Sequence, residues 1–434
     1  MLTLDPITRR RLSRFRSMKR GWYSLIILGV ITVAALLGPA LVGNRPLLLS
    51  HQGALHFPFL SDPIPASTLG LEGESEPNWR VLRATWKSSS AESWMILPLV
   101  PFDPREVCEV NLPVSRDAEG RFTTQGQPLA EGRMFNLKPD GTRSRSWSVV
   151  DGRLHGDARQ RAGTQDVRAK FLEGVLISQH PAEAALPASA WEPSGLLMSY
   201  VPAPAAPGLD GHLLGTDESG HDVLARLLGG FRTLLGAAAI YLPVMYAIGL
   251  LLGAAMGYFG GWFDLVAQRA IEIWSNIPFL YAVILLATLL EPSLIVLMII
   301  LVAFSWIGLA QQMRAAAYSA ASKDYVAASR TLGAGHFRII VRHILPNTVT
   351  VAITLLPFSF AGLITSLSAL DYLGFGLPPT EPSWGDLLRQ GKENWTAWWI
   401  GLPTVACMVG ILVLVNFVGE AIREAFDARK IDTP

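Results

Sequence analysis

Charged side chains are scarce in this sequence. Of its 434 residues, 16% are Asp, Glu, Lys or Arg and 50% are apolar, whereas a soluble globular domain has about 25% charged residues. The formal net charge is +1, so no overall positive field favours nucleic acid as a partner. A lipid bilayer is therefore the first solvent to consider for much of the chain.

Cysteine is nearly absent. Cys108 lies in a polar stretch and Cys407 in a long apolar one, so the two are not expected to meet. We predict no internal disulfide and no thiolate metal site, while a bridge from Cys108 to another chain stays open. The histidines outside the apolar runs lack metal-ligand spacing, and we expect no bound metal.

Several enzyme signatures are also missing. The sequence has no GxxxxGK[ST] phosphate-binding loop, no HExxH, no GxSxG and no CxxC. Gly391-Lys392 lacks the partner glycine at the required distance. We therefore expect that the chain neither binds ATP nor catalyses a reaction itself.

Six long stretches contain no Asp, Glu, Lys or Arg. The shortest has 18 residues, roughly 27 Å as a helix, which is close to the ~30 Å thickness of the hydrocarbon layer. The first is too long for the core of a signal peptide and no good cleavage site follows, so we expect a retained anchor. We predict an α-helical membrane protein with six transmembrane helices. The stretches are Gly21–Asn44, Thr233–Phe263, Ile273–Leu290, Pro292–Met313, His343–Leu370 and Asn394–Gly419.

Basic residues cluster in alternate flanking segments. Because Lys- and Arg-rich flanks stay in the cytoplasm, both termini and the loop between spans four and five are expected there. The connection between spans five and six has Arg389 and Lys392 outnumbered by acids and is expected outside. The cytoplasmic cations are Arg9, Arg10, Arg11, Arg14, Arg16, Lys19, Arg20, Arg314, Lys323, Arg330, Arg338, Arg342, Arg423, Arg429 and Lys430.

The segment between spans one and two is too polar to cross a membrane and too long for a linker. Its short apolar runs are separated by turn signals such as Glu119-Gly120, Asp140-Gly141 and Asp151-Gly152, which is typical of strands joined by tight turns. We therefore predict a mostly β extracytoplasmic domain inserted between helices 1 and 2. The predicted boundaries are 1–21 for the basic N-terminus, 22–43 for transmembrane helix 1, 44–230 for the periplasmic domain, 231–420 for a five-helix core with a loop at 314–346, and 421–434 for the C-terminus.

The basic loop between spans four and five has a distinctive pattern. Asp324 is expected to cap a short helix, Gly333 to end it and Pro346 to mark the entry to span five. A second, amphipathic helix is expected between them, with Phe337, Ile340, Val341 and Ile344 apolar and Arg338 and Arg342 opposite. The candidate site residues of this loop are Asp324, Tyr325, Ala327, Ala328, Ser329, Gly333 and Pro346.

This pattern resembles the EAA loop of binding-protein-dependent ABC importer permeases. The shared features are small residues on both sides of Ala328, a glycine four positions after Ser329, and the Leu345-Pro346 pair further along the chain. In that family the short helix docks into the ATPase subunit. Ala327 replaces the usual Glu, Ser329 the second Ala and His343 a common Ile, so the resemblance implies the docking shape without a salt bridge through residue 327.

Further segments resemble oligopeptide and dipeptide permeases. Leu373–Gly376 with Pro382–Gly385 resembles the loop between their last two spans, and Gly419–Asp427 resembles their C-terminal signature. Residues 14–22, 45–48 and 57–60 are similar to the branch that imports microcin C and oligopeptides. The resemblance covers 1–60 and 212–430, and 103–200 is longer than that family leads us to expect. A candidate periplasmic motif, in which His221 replaces the usual Arg, consists of Gly215, Thr216, Asp217, Gly220, Asp222 and Arg226.

The resemblance implies one of two homologous permease subunits of a peptide-class ABC importer that works by alternating access. It implies as partners a second permease subunit, two ABC ATPase subunits or one fused ATPase, and a periplasmic substrate-binding protein, in addition to membrane lipid. ATP and Mg would be bound by the ATPases, with no cofactor on this chain. Open alternatives are an ion-coupled carrier or channel, an exporter, and a permease whose outer domain is mainly a scaffold. The absence of an unpaired charge near the middle of a span disfavours the carrier.

Overall fold

The chain folds into two compact units in the computed structural model. The helical unit comprises Met1–Gly38, Arg226–Glu393 and Gly401–Pro434, and the strand-rich unit comprises Pro39–Ala225 and Asn394–Ile400. The strand-rich unit thus takes in a short piece from the start of the predicted sixth span as well as most of the predicted insertion. The structure describes residues 6–51, 53–69, 76–88, 93–108, 112–124, 126–129, 131–137, 143–162, 165–180, 186–193, 198–201, 204–290 and 293–426.

Helices form most of the described chain outside 42–222. A five-residue π-helical segment, Ile340–Ile344, joins two of them without a break. The helices are α1 Pro6–Ser17, α2 Lys19–Leu36, α3 Gly38–Leu41, α4 Trp79–Ser88, α5 Val223–Phe259, α6 Gly261–Ser275, α7 Phe279–Leu289, α8 Leu294–Ala321, α9 Asp324–Thr331, α10 His336–Ile339, α11 Leu345–Tyr372, α12 Trp384–Glu393 and α13 Trp398–Phe426.

Within the part of the chain that the structure describes, five helical runs are long and apolar enough to cross a membrane. They are α2, α5, α8, the continuous run His336–Tyr372 and α13, and α6 with α7 makes a sixth if that bent pair is one span. The predicted fold class, a helical membrane protein with a strand-rich insertion, is confirmed. The first of these helices ends at Leu36, before the predicted 43, and α8 extends to Ala321, into the predicted loop at 314–346.

The third predicted span, Ile273–Leu290, is not one continuous helix. The chain instead has α6 and α7, bent by 71° at residues 276–278. Pro278 has no amide hydrogen to continue the helix and disfavours helical geometry at the residue before it. The break therefore follows from one proline inside an apolar run that composition alone shows as continuous.

Three glycines bring α5 and α8 into close contact. Gly249, Gly253 and Gly257 recur every four residues and so lie on one face of α5. A Cβ added to Gly253 would lie 2.8 Å from the Met313 Cβ, and one added to Gly257 would lie 2.7 Å from the Tyr318 amide nitrogen. Small residues at such spacing let two helix backbones approach each other in a membrane.

Among the described residues of the strand-rich unit, thirteen short strands form three antiparallel sheets. The sheet orders are β2-β1-β3, β5-β6-β7 and, for the largest, β12-β11-β10-β9-β8-β13-β4. The strands are β1 Leu48–His51, β2 Ala54–His56, β3 Trp94–Ile96, β4 Leu112–Pro113, β5 Ser115–Arg116, β6 Phe122–Thr124, β7 Gln127–Pro128, β8 Glu131–Leu137, β9 Arg143–Val150, β10 Arg153–Ala162, β11 Gln165–Leu172, β12 Val175–His180 and β13 Met198–Val201.

One face of the seven-stranded sheet is covered. Along β11, Val167, Ala169 and Phe171 are buried while Arg168 and Lys170 are exposed, the alternation expected of a half-buried antiparallel strand. The buried face packs around two tryptophans, and the Trp147 indole donates a hydrogen bond to the Trp191 carbonyl oxygen at 2.9 Å. The sheet therefore has its own apolar core.

The predicted turn at Asp151-Gly152 joins β9 to β10. Both residues have positive φ, 48° and 75°, as a type I′ hairpin requires. Glu173-Gly174 makes the equivalent turn between β11 and β12, with φ of 49° and 87°. The predicted turn at Asp140-Gly141 lies outside the described residues.

Candidate functional site: the loop between spans four and five

The short helix of the loop begins as the sequence suggests but is capped differently. The N-cap residue is Lys323, without a side-chain cap, and Asp324 is the first helical residue. The prediction that Asp324 is the cap is therefore wrong by one position. Its carboxylate still lies in the first turn, where the helix dipole favours a negative charge.

Gly333 terminates α9. Its φ is +80°, a backbone conformation that costs residues with a Cβ about 1 kcal/mol or more. The Gly333 amide donates to the Arg330 carbonyl at 2.9 Å, and the Ala334 amide to the Ser329 carbonyl at 3.1 Å. This pair of bonds is a Schellman motif with glycine at C′.

The candidate residues of α9 divide between two faces. Asp324, Tyr325, Ala327 and Ala328 are exposed, whereas Ser329 is buried and its Oγ lies 3.3 Å from the His343 Nε2. Ser329 is thus placed toward the body of the unit. At the centre of the exposed face of α9, the side chains of Ala327 and Ala328 are small.

A cluster of apolar side chains holds the loop to the spans. Val326 and Ile339 have no exposed surface and pack with residues of α5 and α8, including Ala254 and Ala317. Tyr258, near the end of α5, places its hydroxyl 2.8 Å from the His336 Nδ1. The Arg330 guanidinium lies 4.6 Å from the centroid of the Tyr258 ring, so one tyrosine contacts the loop on both sides of Gly333.

The second helix of the loop differs from the predicted amphipathic pattern. Ile339, Ile340 and Ile344 are buried, while Phe337 is 77% exposed and Val341 40%. The predicted apolar face is therefore wrong at Phe337 and Val341, whereas Ile340 and Ile344 are buried as predicted. The chain changes to π-helical turns at Ile340. A proline ring clashes with the carbonyl four residues before it, and the wider turn before Pro346 makes room for that ring.

Two large apolar side chains that follow α9 in the chain are exposed. Leu332, the residue after the small α9 helix ends, is 88% exposed, and Phe337 in α10 is 77% exposed. Exposed groups of this size at the end of a helical unit mark an interaction surface. We call Tyr325, Ala327, Ala328, Leu332 and Phe337 the coupling surface.

The candidate periplasmic motif forms a tight turn in the strand-rich unit. The Asp217 Oδ1 accepts the amides of Ser219 and His221, each at 2.9 Å. Gly215 and Gly220 have φ of +69° and +86°. The Thr216 Oγ1 accepts the Ala205 amide at 2.8 Å, and its carbonyl accepts the Trp399 indole hydrogen at 3.1 Å.

Asp222 is the N-cap of α5. Its Oδ1 accepts the Ala225 amide at 2.7 Å, while its Oδ2 lies 2.7 Å from the His212 Nδ1, with both side chains almost fully buried. The His212 ring stacks on Phe102 at a centroid distance of 4.0 Å. These contacts shape the backbone before α5.

Arg226 belongs to the helical unit rather than to that turn. It is 1% exposed, and its Nη2 donates to the carbonyls of Pro379 and Glu381, each at 3.0 Å, with the Asp386 Oδ2 at 3.5 Å. The six motif residues therefore divide into a turn and a separate clamp on the loop before α12.

That loop is also held by a buried carboxylate. Asp371, at the end of α11, accepts the Leu377 amide at 2.6 Å and a hydrogen bond from the Ser383 hydroxyl. The Trp384 indole donates to the Leu227 carbonyl at 2.9 Å. The two segments that resembled the family's last outer loop thus form one packed corner.

Sequence reasoning missed Tyr258 and Asp371. Tyr258 stands in an apolar run, and the signal that could have indicated it is its place next to Gly260-Gly261, where the span ends. Asp371 was counted as one acid in a polar connection, although it is 7% exposed. Neither role is visible without knowing which residues the loop contacts.

Comparison with known proteins identifies the family. Residues 249–432 match the family described as binding-protein-dependent transport system inner membrane component. The chain is 32% identical over 435 residues to a peptidoglycan transport system permease protein, YejE, of Agrobacterium fabrum, covering 98% of this chain and 94% of the relative. An alignment of that extent includes the strand-rich unit, so this relative shares the long middle segment.

Shorter alignments relate the chain to other permeases. It is 42% identical over 229 residues to the inner membrane ABC transporter permease protein YejE of Escherichia coli, covering 53% of this chain and 67% of that one. It is 34% identical over 232 residues to the oligopeptide transport system permease protein OppC of Lactococcus lactis, covering 52% and 78%. The resemblance drawn from the sequence motifs is confirmed, and the chain belongs to the inner membrane components of binding-protein-dependent transport systems, as a multi-pass permease subunit of an ABC transporter.

Proposed function

We propose that this chain is a permease subunit of an ATP-driven importer for peptides or peptide-like compounds. The relatives named for oligopeptide and peptidoglycan transport support the substrate class. The exposed coupling surface, held rigidly on the spans by the cluster around Val326, is the observation that carries the coupling role.

In this proposal, the coupling surface docks into a partner ATPase on the cytoplasmic side. The small side chains of Ala327 and Ala328 let the α9 backbone approach the partner closely, and Leu332 and Phe337 bury apolar area on docking. A second homologous permease completes the path, and a substrate-binding protein delivers the cargo outside. ATP and Mg are bound by the ATPase subunits, two separate or one fused.

Alternating access needs the loop and the spans to move together. Val326, Tyr258 and Arg330 tie α9 to α5 and α8, so a push on the coupling surface reaches the spans. The ion-coupled carrier is disfavoured because Asp264, a charge within α6, is paired with Arg314 through two short hydrogen bonds.

The test is a substitution at the centre of the coupling surface. Ala328→Trp should abolish co-purification of the ATPase subunit and ATP-driven uptake, because the side chain projects where the partner backbone would lie. Ala328→Ser, which keeps a small side chain at the same position, should leave both unchanged. Binding and uptake retained by Ala328→Trp would refute the docking role.

The strand-rich unit has two candidate roles. It can grip or gate the docked binding protein, or act as a scaffold for other envelope proteins. Its sheet has a packed core of its own around Trp147 and Trp191, which suits either role.

A further inference from the structure

A dense group of cations precedes the first span. Residues 6–20 contain seven basic side chains and no acid. They occupy α1 and the first turn of α2, with Met18 between the two helices. The cations are Arg9, Arg10, Arg11, Arg14, Arg16, Lys19 and Arg20.

One face of α1 is fixed to the end of α13. Phe15 is buried in a cluster with Val418, Ala421 and Ala425, and the Arg11 guanidinium lies 4.6 Å from the centroid of the Phe426 ring. The helix is therefore held in place within the helical unit rather than attached only through its link to α2.

The other face of α1 is cationic and exposed. Arg9, Leu12 and Arg16 follow one another at spacings of three and four residues and so share that face. All three are exposed, as are Lys19 and Arg20. Among the residues that the structure describes, none of these four cations has a carboxylate within ion-pair distance. The exposed apolar Leu12 lies between two of them.

The position of this face relates it to a bilayer. Trp22 and Tyr23 follow directly after Lys19 and Arg20, and the Arg16 guanidinium lies 5.5 Å from the centroid of the Trp22 ring. Tryptophan and tyrosine beside a span mark the level of the lipid headgroups. One helical turn is about 5.4 Å, so Lys19 and Arg20 reach the same level.

We propose that the exposed face of α1 and the first turn of α2 form a binding site for anionic phospholipid headgroups. Arg9, Arg16, Lys19 and Arg20 contact the phosphates, and Leu12 enters the edge of the acyl layer. Clusters of four or more cations next to a span attract anionic lipid in this way. The adjacency to the span favours lipid over a soluble polyanion, and the site does not depend on what the permease carries.

The experiment measures which lipid stays bound to the purified full-length chain. Native mass spectrometry would compare retention of phosphatidylglycerol with that of phosphatidylcholine of the same acyl chains. The variant R9Q/R16Q/K19Q/R20Q is matched by R153Q/R159Q/R168Q/K170Q, which removes four exposed cations from the sheet. We expect the wild type and the sheet variant to prefer phosphatidylglycerol, and the first variant to lose that preference by roughly tenfold.

A charge-preserving variant separates lipid binding from folding. R9K/R16K/R20K should keep the preference, because the headgroup responds to charge at this site. An unchanged preference in R9Q/R16Q/K19Q/R20Q, or none in the wild type, would overturn the proposal. So would a glutamine variant that keeps its lipid preference but no longer co-purifies with a protein partner, since the face would then bind that protein.

Discussion

At the scale of single residues, the close packing of α5 against α8 depends on glycine. Gly253 on α5 lies so near Ala310 and Met313 of α8 that a methyl group has no room. Gly236 on the same helix has nothing within 4 Å of the position of an added Cβ. The two glycines thus differ in surroundings while sharing a helix.

Gly253→Ala should therefore destabilise the chain, and Gly236→Ala should not. Overpacking costs about 1–3 kcal/mol, whereas alanine in an unobstructed helix is favoured over glycine by about 1 kcal/mol. Thermal unfolding of the purified protein in detergent, followed by size-exclusion chromatography, measures the difference. Equal unfolding temperatures for both variants would show that α5 and α8 do not approach as described.

Cys108 illustrates how burial sets reactivity. It is 4% exposed, and burial, helped by the nearby Glu106 carboxylate, raises the pKa of its thiol to about 12. The thiol is free, and its burial argues against the bridge to another chain that the sequence left open. Because thiolate is the reactive form, Cys108 should be inert in the folded protein.

In a Cys407→Ala background, alkylation of Cys108 should be slow at pH 8 until denaturant is added. The raised pKa also has a stability consequence, since the unfolded chain ionises above its ordinary value of 9.0 while the folded chain keeps its proton. The stabilisation of the folded chain that comes from this raised pKa is present below pH 9 and is lost as the pH rises toward 12. Rapid alkylation of the native protein would contradict this placement.

At the scale of elements, the loop was the best predicted part of the site. Its spacing predicted the short helix, Gly333 as its end and the basic flank, because a helix-ending glycine and the placement of charges are local properties of the sequence. The break at Pro278 and the π-helical segment before Pro346 were not predicted, although Pro346 was expected to mark the entry to span five. The outcome at a proline depends on what packs around it, which the local sequence does not encode.

Two glycines of this loop make a matched pair for testing the helix stop. Gly333 has φ of +80°, Gly335 has φ of −66°, and neither has an atom within 4 Å of an added Cβ. Gly333→Val should strain the Schellman turn and sharply reduce ATP-driven uptake. Gly335→Val should be tolerated because its backbone suits a branched residue.

Uptake by the assembled transporter, measured beside the amount of permease in the membrane, tests this pair. Loss of uptake at normal abundance for Gly333→Val alone supports the role of the turn. Equal activity in the two variants would show that the orientation of α9 does not matter for coupling.

At the scale of the whole molecule, six long apolar runs and a polar insertion were sufficient to predict the fold class. The pairing of strands in the insertion was not predicted. In the sheet, β13 lies between β4 and β8, although β13 is far from both strands in the sequence. Long-range register depends on contacts that short apolar runs do not specify.

The strand order suggests a clean excision. Tyr200 pairs with Leu112, so residues 112–201 begin and end side by side and a short Gly-Ser linker can replace them. Cys108, whose amide donates to the Gly220 carbonyl at 2.7 Å, is retained. The excised chain should assemble normally, because the helical unit has its own packing.

Uptake by that variant decides between the two roles of the strand-rich unit. A gate or grip for the binding protein predicts lost uptake with a normal level of assembled complex. Retained uptake would exclude the gate and leave the scaffold. Binding-protein capture, measured for the excised variant and for the wild type under the same conditions, separates a failure to dock from a failure to transport.

One uninterrupted helical run of 37 residues, His336–Tyr372, links the two ends of the helical unit. At 1.5 Å per residue it is about 55 Å long. It begins beside Tyr258 and ends at Asp371, which grips Leu377 and Ser383. Because the run is continuous, a tilt of the end beside Tyr258 is expected to move the corner around Asp371 at the other end.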